Sequence, residues 1–316
     1  MIIIPIDLKK IRYILLFALI VAGLSSKAQQ DPLYTQYMNQ LLSINPAYAG
    51  AKGVTSATLL VREMYTAWPE NPSTQTFFVH APLNSQMGIG GSVVNDKLYV
   101  YSNTGVFGDY SYSINYPGDK FLSLGLKFGF SYIQLPLTDI DLKNTDPNDP
   151  AFQQDIEHKF LPNAGVGVYY SSPDYYFGLA IPKLISNKIR AQNVETGTVS
   201  KEELHAFFMG GYVFDFSRIL KFKPYFMVRF TPNAPISADL TAQAVFYERL
   251  WLGLTYRFGN SFGFMGQVQA TKQLKIGYAF DLTTTEIGVY SKGTHEILVN
   301  FDFSFGRGRV RSPRYF

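Results

Sequence analysis

Apolar residues alternate with small or polar ones without a break from Leu122 to Tyr132. Successive side chains of a β-strand point to opposite sides, so a period of two indicates a strand with one apolar face. The apolar positions are Leu122, Leu124, Leu126, Phe128, Phe130 and Tyr132. The same pattern returns along most of the chain, which predicts an all-β protein.

About fourteen such segments follow Gly50, each close to the roughly 9 to 11 residues that a membrane-spanning strand needs. They are 54–62, 75–83, 87–94, 105–115, 122–133, 163–171, 175–181, 205–216, 222–231, 236–247, 250–258, 262–271, 274–282 and 296–305. An even number of strands is typical of bacterial outer-membrane barrels. The sequence therefore predicts a transmembrane antiparallel β-barrel over residues 53–305.

Charged residues of the last strands avoid the apolar faces. Arg257, Lys275, Asp281, Glu296 and Asp302 all fall on the opposite face of their strand. A basic residue facing lipid at mid-bilayer costs roughly 2 to 4 kcal/mol, so this sorting suits a wall in contact with lipid. A soluble secreted β-sandwich would sort its charges in the same way, so that alternative stays open on this pattern.

The connections between predicted strands alternate in length. The even ones are short, at 84–86, 116–120, 172–174, 217–221, 248–249 and 272–273, and four odd ones are long, at 63–74, 135–162, 182–204 and 283–295. Two odd connections, 232–235 and 259–260, are also short. Outer-membrane barrels have short periplasmic turns and longer outer loops, so the pattern predicts a barrel with both termini in the periplasm.

Two local features modify this strand assignment. Pro224 lacks the N–H group that a central strand uses, so we expect the ninth strand to begin near Tyr225. Leu184, Ile185 and Ile189 are spaced for a helical turn within 183–192.

The N-terminal residues have the pattern of a secretory signal peptide. Lys9, Lys10 and Arg12 precede an apolar run over 14–24, and small residues follow at Ser26 and Ala28. The run is shorter than the roughly 20 residues of a membrane-spanning helix, which favours cleavage before Gln29 over a retained helical anchor. Residues 1–28 are therefore predicted to be a signal peptide.

Composition excludes several classes of function. The chain has no cysteine, so a cysteine-linked lipid anchor, disulfides and thiol chemistry are excluded. Removal of residues 1–28 takes away four basic residues and one acidic residue, which leaves a net charge near +1 and no basic face for nucleic acid. The 22 Tyr and 26 Phe suit the aromatic belts of a membrane barrel.

No pattern of a catalytic or metal site is present in the sequence. The histidines His80, His158, His205 and His295 are scattered and lack metal-ligand spacing. The acidic residues Asp139, Asp141, Asp146 and Asp149 share a loop, but Lys143 lies among them and the glycine of a calcium loop is missing. No serine lies in a nucleophile elbow. We therefore predict no enzyme activity, no cofactor and no metal.

Two terminal segments flank the predicted barrel. Residues 29–52 form an N-terminal extension in which Pro46 and Gly50 favour a bend before the first strand. Its apolar and aromatic side chains would lie at the periplasmic mouth or fold into the lumen, either as a structural plug or as a docking surface. Residues 306–316 form a tail with four arginines and no acidic residue, suited to an acidic partner surface or to a solvated or lumenal position.

The extension also carries two motifs. The motifs Gln30-Asp31-Pro32-Leu33-Tyr34-Thr35-Gln36-Tyr37 and Asn45-Pro46-Ala47-Tyr48-Ala49-Gly50 closely resemble the opening of the PorP/SprF family of type IX secretion proteins from Bacteroidota. Gly293-Thr294-His295-Glu296-Ile297 and the ending Ser312-Pro313-Arg314-Tyr315-Phe316 resemble SprF-type members. The likeness extends over the mature chain.

The resemblance implies an outer-membrane component that is needed for export or surface anchoring of a specific type IX cargo, such as a large adhesin used in gliding. The implied partners are the C-terminal domain of the cargo, periplasmic or outer-membrane secretion and motility components, and outer-membrane lipid. The residues expected to bind partners are Asp31, Pro32, Tyr34, Gln36, Tyr37, Asn45, Pro46, Tyr48, Arg307, Arg309, Arg311 and Arg314. The alternative function is an outer-membrane channel for small hydrophobic or other solutes.

Overall fold

The computed structural model describes residues 33–137, 155–190, 198–232 and 234–303. The first strands are β1 (Thr55–Glu63), β2 (Ser73–Pro82), β3 (Met87–Leu98), β4 (Tyr101–Tyr116), β5 (Lys120–Leu135), β6 (Ile156–Ser171), β7 (Tyr175–Ile181), β8 (Lys188–Arg190) and β9 (Thr198–Lys201). The others are β10 (Ala206–Tyr212), β11 (Phe214–Asp215), β12 (Leu220–Phe230), β13 (Ser237–Phe246), β14 (Leu250–Arg257), β15 (Ser261–Gln269), β16 (Leu274–Thr283) and β17 (Thr294–Phe303).

These strands form one closed antiparallel barrel. The first strand pairs with the last, from Thr55 opposite Phe303 to Glu63 opposite His295. β10 pairs with both β7 and β12, and β11 continues the line of β10 beyond Val213. Counting β10 and β11 as one interrupted strand gives fourteen, while β8 and β9 form a separate hairpin. The predicted fold of about fourteen antiparallel strands is confirmed.

The two faces of the wall differ as the alternation predicted. On β5, Phe128 and Leu124 are 60% and 49% exposed on the outside, whereas Ser123 and Lys127 are buried on the inside. On the closing strands, Arg257, Asp281 and Glu296 are buried inside the barrel, opposite exposed leucines, phenylalanines and tyrosines. Lipid contact explains the apolar outer face, and the polar lumen is where charges find partners.

Hydrogen-bonded strands continue beyond the apolar alternation at one end. β3 and β4 were predicted to stop at Val94 and start at Gly105, but their ladder reaches Leu98 opposite Tyr101. The added rungs carry polar side chains such as Asn95 and Thr104. A ladder needs only backbone pairing, so it continues where the wall no longer faces lipid, and apolar alternation underestimates its length.

The expectation that the ninth strand begins near Tyr225 was wrong, because β12 starts at Leu220 and runs through Pro224. Pro224 lies opposite Ala242 of β13. On its other side the pairing with β10 ends at Gly211, and it resumes at Phe214 of β11. The proline thus lies where the ladder is already interrupted, so its missing N–H group costs the strand little.

The barrel has a long-loop end and a short-turn end. The long-loop end carries the connections 64–72, 136–155, 182–205 and 284–293, and the short-turn end carries 83–86, 117–119, 172–174, 216–219, 247–249 and 270–273. Within the long connection 182–205, residues 183–187 have no regular secondary structure and 188–190 form β8, so the predicted helical turn is absent from the described residues of 183–192. No helix within the described ranges is long and apolar enough to cross a membrane.

Candidate functional site

The lumen of the barrel holds residues 33–50, here called the lumenal segment. It contains three single-turn 3-10 helices, Tyr37–Asn39, Leu41–Ser43 and Pro46–Tyr48. The side chains of Tyr37, Leu41 and Leu42 are fully buried. The sequence left open whether this part of the chain lies at the mouth or in the lumen, and in the structure its described residues lie in the lumen.

The lumenal segment runs from the long-loop side to the short-turn side. Thr35 contacts Asp281 and Glu296, which lie near the long-loop ends of β16 and β17. At the other end, the backbone N–H of Gly50 donates to Nδ1 of His80, close to the short-turn end of β2. β1 then starts at Thr55 and rises back through the wall.

At the long-loop end, the segment is attached to the wall by the Arg62 cluster. This cluster is formed by Arg62, Asp281, Glu296, Thr35 and Gln36. The guanidinium of Arg62 lies 2.9 Å from Oε2 of Glu296 and 3.0 Å from Oδ2 of Asp281. The two oxygens of Glu296 accept the backbone N–H groups of Thr35 and Gln36, both at 2.9 Å, while the hydroxyl of Thr35 donates to Asp281. A buried carboxylate is stable only when it is paired and hydrogen-bonded, and here the lumenal segment supplies part of that pairing.

Nearer the short-turn end, the segment is attached to the wall through Asn45. Its Oδ1 accepts the backbone N–H of Ala47 at 3.0 Å and caps the last 3-10 turn, and its Nδ2 donates to the carbonyl of Val168 at 2.9 Å. Pro46 follows at the first position of the turn, where its missing N–H group has no intrahelical partner to lose. Asn45 therefore fixes both the shape of the turn and its attachment to β6.

Inward-facing glycines make room for the lumenal segment. A Cβ atom added at Gly125 would overlap the backbone of Pro46 and Ala47, and one at Gly167 would overlap the side chain of Asn45. The same holds at Gly88 against Ala49 and at Gly277 against the side chain of Gln36, while the space at Gly263 is closed by Asp281 and Thr35. These glycines, here called the glycine seat, leave space on several strands for the backbone and side chains of the segment.

Aromatic contacts complete the fit. Tyr34 packs edge-on against Phe78 with 6.5 Å between ring centroids, and Tyr48 packs against Tyr169 at 5.4 Å. Burial raises the pKa of the phenols of Tyr34 and Tyr48 above the ordinary value, so both remain neutral. The segment therefore presents no charge of its own to the lumen.

Other charged groups of the lumen pair with one another. Lys127 lies 2.8 Å from Asp109, and Arg257 lies 3.0 Å from Asp239. Within the described ranges no three His, Cys, Asp or Glu residues are grouped as metal ligands would be. The acidic loop residues Asp139, Asp141, Asp146 and Asp149 lie outside the described residues.

The structure brings six of the predicted partner-binding residues together in the lumen. Tyr34, Gln36, Tyr37, Asn45, Pro46 and Tyr48 are all buried there. Asp31, Pro32, Arg307, Arg309, Arg311 and Arg314 lie outside the described residues. Partner binding by any of them remains a prediction, and the six lumenal residues would be accessible to a partner only after the segment leaves its seat.

Sequence reasoning missed the partners of the lumenal segment. Arg62, His80 and the glycine seat had no distinguishing pattern around them. The inward position of Asp281 and Glu296 was visible in the alternation, but the residue that each one binds lies far away along the chain. Only the closed barrel brings Arg62 and Glu296 together across 234 positions.

Asn45→Ala removes the cap and the bond to β6 together. We expect this change to destabilise the seated segment by about 1 to 3 kcal/mol, because the N–H of Ala47 and the carbonyl of Val168 lose their partners in a buried place. Asn45→Asp keeps the cap acceptor but loses the donor. The rate of limited proteolysis within the segment, in detergent micelles, measures the effect. Equal rates in both variants and the parent protein would contradict the prediction.

A closed fourteen-stranded barrel with an apolar outer band and polar lumen defines a bacterial outer-membrane β-barrel protein. A model of the family described as type IX secretion system membrane protein PorP/SprF matches residues 26–301. The chain belongs to this family, whose members are components of type IX secretion, and the resemblance noted in the sequence is confirmed.

Solved structures share the architecture at low sequence identity. The CymD monoaromatic hydrocarbon channel matches with a TM-score of 0.51 and 8% identity, over 86% of this chain and 94% of that chain. A FadL homologue from Pseudomonas aeruginosa matches with a TM-score of 0.48 and 11% identity, over 82% of this chain and 93% of that chain. The match to CymD shows the barrel fold alone. No curated protein matches the sequence.

Proposed function

We propose that this protein is a non-enzymatic contact scaffold of type IX secretion, needed for export or surface anchoring of a specific cargo such as a large adhesin. Family membership supports the secretion role. The observation that favours contact over solute transport is the lumenal segment, because residues 33–50 occupy the barrel and are bonded to its wall at both ends.

The proposal places the long-loop end at the cell surface and the short-turn end in the periplasm, as is usual for such barrels. The described chain then begins on the cell-surface side at Leu33 and reaches the periplasmic side at Gly50. β17 ends on the periplasmic side, where residues 306–316 follow it in sequence. Residues 29–32 lie outside the described residues, so the periplasmic N-terminus stays a prediction.

Exposed apolar side chains at the long-loop end support cargo contact there. Trp68, Val289 and Tyr290 are 47%, 84% and 74% exposed. Their loops are tied together, since the N–H of Thr66 donates to Gly293 at 2.9 Å and the N–H of Lys292 donates to Thr66 at 2.8 Å. Aromatic side chains on a fixed loop lose little entropy on binding and are enriched in protein interfaces.

Affinity purification from native membranes in mild detergent tests the scaffold. We expect a type IX cargo and secretion components to co-purify with the full chain. A variant with Arg307, Arg309, Arg311 and Arg314 changed to Gln keeps the length of the tail and should lose the secretion components but keep the cargo. Trp68→Ala with Tyr290→Ala should show the reverse. Unchanged capture by both variants would remove these two surfaces from the proposal.

The rival function is a solute channel, and reconstitution separates it from the scaffold. A scaffold with an occupied lumen should show no steady conductance and no solute uptake in liposomes. Steady conductance of the full chain, together with loss of every co-purifying protein at moderate salt, would favour the channel and reject the scaffold.

A further inference from the structure

The lumenal segment has an unusual composition for a part of this chain. Residues 33–50 contain no Asp, Glu, Lys, Arg or His, and are rich in Tyr, Asn, Gln and Leu. The surrounding wall carries buried charges: Lys127 and Asp109 pair one to one, whereas Arg62 faces two carboxylates, Asp281 and Glu296, which also accept hydrogen bonds from the segment. The lumen thus encloses an uncharged peptide inside a charged surface, and the peptide donates hydrogen bonds to the two carboxylates that share Arg62.

The wall contacts the backbone of this peptide at both ends, in addition to the side-chain contacts of Tyr34, Thr35 and Asn45. Glu296 accepts two successive N–H groups, those of Thr35 and Gln36. His80 accepts the N–H of Gly50, and the hydroxyl of Ser111 donates to the carbonyl of Ala49 at 2.7 Å. Contacts to backbone atoms depend on the path of a peptide and only weakly on its side chains, as in other peptide-binding sites.

The fit is incomplete in the middle of the segment. Both side-chain amide atoms of Gln40 are buried without a hydrogen-bond partner among the described residues, as are Nδ2 of Asn39 and Nε2 of Gln36. Each such group costs about 1 to 3 kcal/mol when buried. The segment therefore has the character of a bound ligand more than that of a fully satisfied core element.

A short covalent link joins the segment to the wall. Residues 51–54 separate it from β1, and all four are partly exposed. Gly50, just before this link, and Gly53, within it, have positive φ values of 70° and 72°, which other residues rarely adopt. The link is thus accessible and makes few of the contacts that hold the segment in place.

We propose that the lumen is a peptide-binding site, filled in cis by residues 33–50 and able to take in their place an uncharged, polar and aromatic peptide of a partner. The ligand must offer two successive backbone N–H groups to Glu296 and a hydroxyl to Asp281. It must also carry small residues where the glycine seat leaves no room for bulk.

The test converts the segment into a separate peptide without removing it. A site for a specific protease is inserted between Ala51 and Lys52 of the full chain, which is cut after folding in detergent micelles. The cut segment should remain bound to the barrel. A fluorescent synthetic peptide of residues 33–50 should then exchange into the lumen, as measured by fluorescence anisotropy, while an equal concentration of a scrambled peptide should not.

Peptide variants test the contacts without touching the barrel. N-methylation at Gln36 removes one hydrogen bond to Glu296 and should weaken binding roughly tenfold to a hundredfold. N-methylation at Ser43 is the matched control, because this N–H bonds only to Gln40 within the segment and its side chain is partly exposed. A peptide with Gln40→Lys should not bind, because it buries an unpaired charge.

Each outcome decides the proposal. Retention of the cut segment, exchange with the synthetic peptide and selective loss on Gln36 methylation support a peptide-binding lumen. Release of the cut segment without rebinding would overturn it. Retention without any exchange, with the barrel intact by its heat-modifiable gel migration, would also overturn it and make the segment a permanent part of the fold.

Discussion

Arg62→Ala should destabilise the protein by about 3 to 5 kcal/mol, the cost expected when one partner of a buried ion pair is removed. The positively charged guanidinium of Arg62 contacts both Asp281 and Glu296, and all three side chains are at most 5% exposed. Without the guanidinium, two carboxylates remain close together in the lumen, and the hydroxyl of Thr35 loses one of its two partners. The midpoint of urea unfolding in detergent micelles measures the loss.

A peripheral pair gives the matched control for Arg62. Lys52 lies 3.4 Å from Asp302 at the short-turn end, with side chains 18% and 33% exposed. Lys52→Ala should cost about 1 kcal/mol or less, since water screens the pair. The triple variant Arg62→Met, Asp281→Asn and Glu296→Gln leaves no unpaired charge and should recover much of the loss. An Arg62→Ala protein as stable as Lys52→Ala would show that the Arg62 cluster does not organise the lumen.

Gly125→Leu should expel the lumenal segment while the wall stays intact. The added Cβ would overlap backbone atoms of Pro46 and Ala47, which cannot rotate away as a side chain can. Overpacking of this kind costs about 1 to 3 kcal/mol or more, so the population of the expelled segment should rise roughly tenfold to a hundredfold. Chymotrypsin, which cuts after Tyr and Leu, should then cleave within 33–50 much faster than in the parent protein.

Gly108→Leu is the matched control for this experiment. Gly108 faces outward on the neighbouring strand β4, and the nearest atom to an added Cβ is the carbonyl oxygen of Phe128 at 3.9 Å. The lumenal segment should keep its protection in this variant. Equal rates of chymotrypsin cleavage in Gly125→Leu and Gly108→Leu would contradict the prediction. They would mean that a large side chain at position 125 fits beside the segment.

The two variants also separate the two ways in which the segment is held. Arg62→Ala removes charge pairing and leaves the glycine seat unchanged, whereas Gly125→Leu removes space and leaves the pairing groups in place. If the proposed peptide site is correct, the first change should weaken binding of an added peptide and the second should block it. The scaffold proposal needs neither result, because its contacts lie at the two ends of the barrel.

Much of the wall could be predicted from the chain because strand alternation is a local property. The faces of Leu124, Phe128 and Lys127 follow from neighbours in sequence, and all three lie as the period of two predicted. Local patterns failed where backbone pairing decided the outcome. The β3–β4 ladder continued through polar residues, and Pro224 was accepted inside β12 beside an interrupted neighbour.

The sequence by itself determined that the barrel strands exist, which way they face and about how many there are, because contact with lipid on one side and the lumen on the other selects alternate residues along each strand. Its terminal motifs indicated the family. Only the tertiary structure decided what the lumen contains. The fit of Ala47 against Gly125 and the bonds from Thr35 and Gln36 to Glu296 join residues that are 78 or more positions apart. Such contacts exist only after the barrel has closed around the segment, so no local pattern in the chain encodes them.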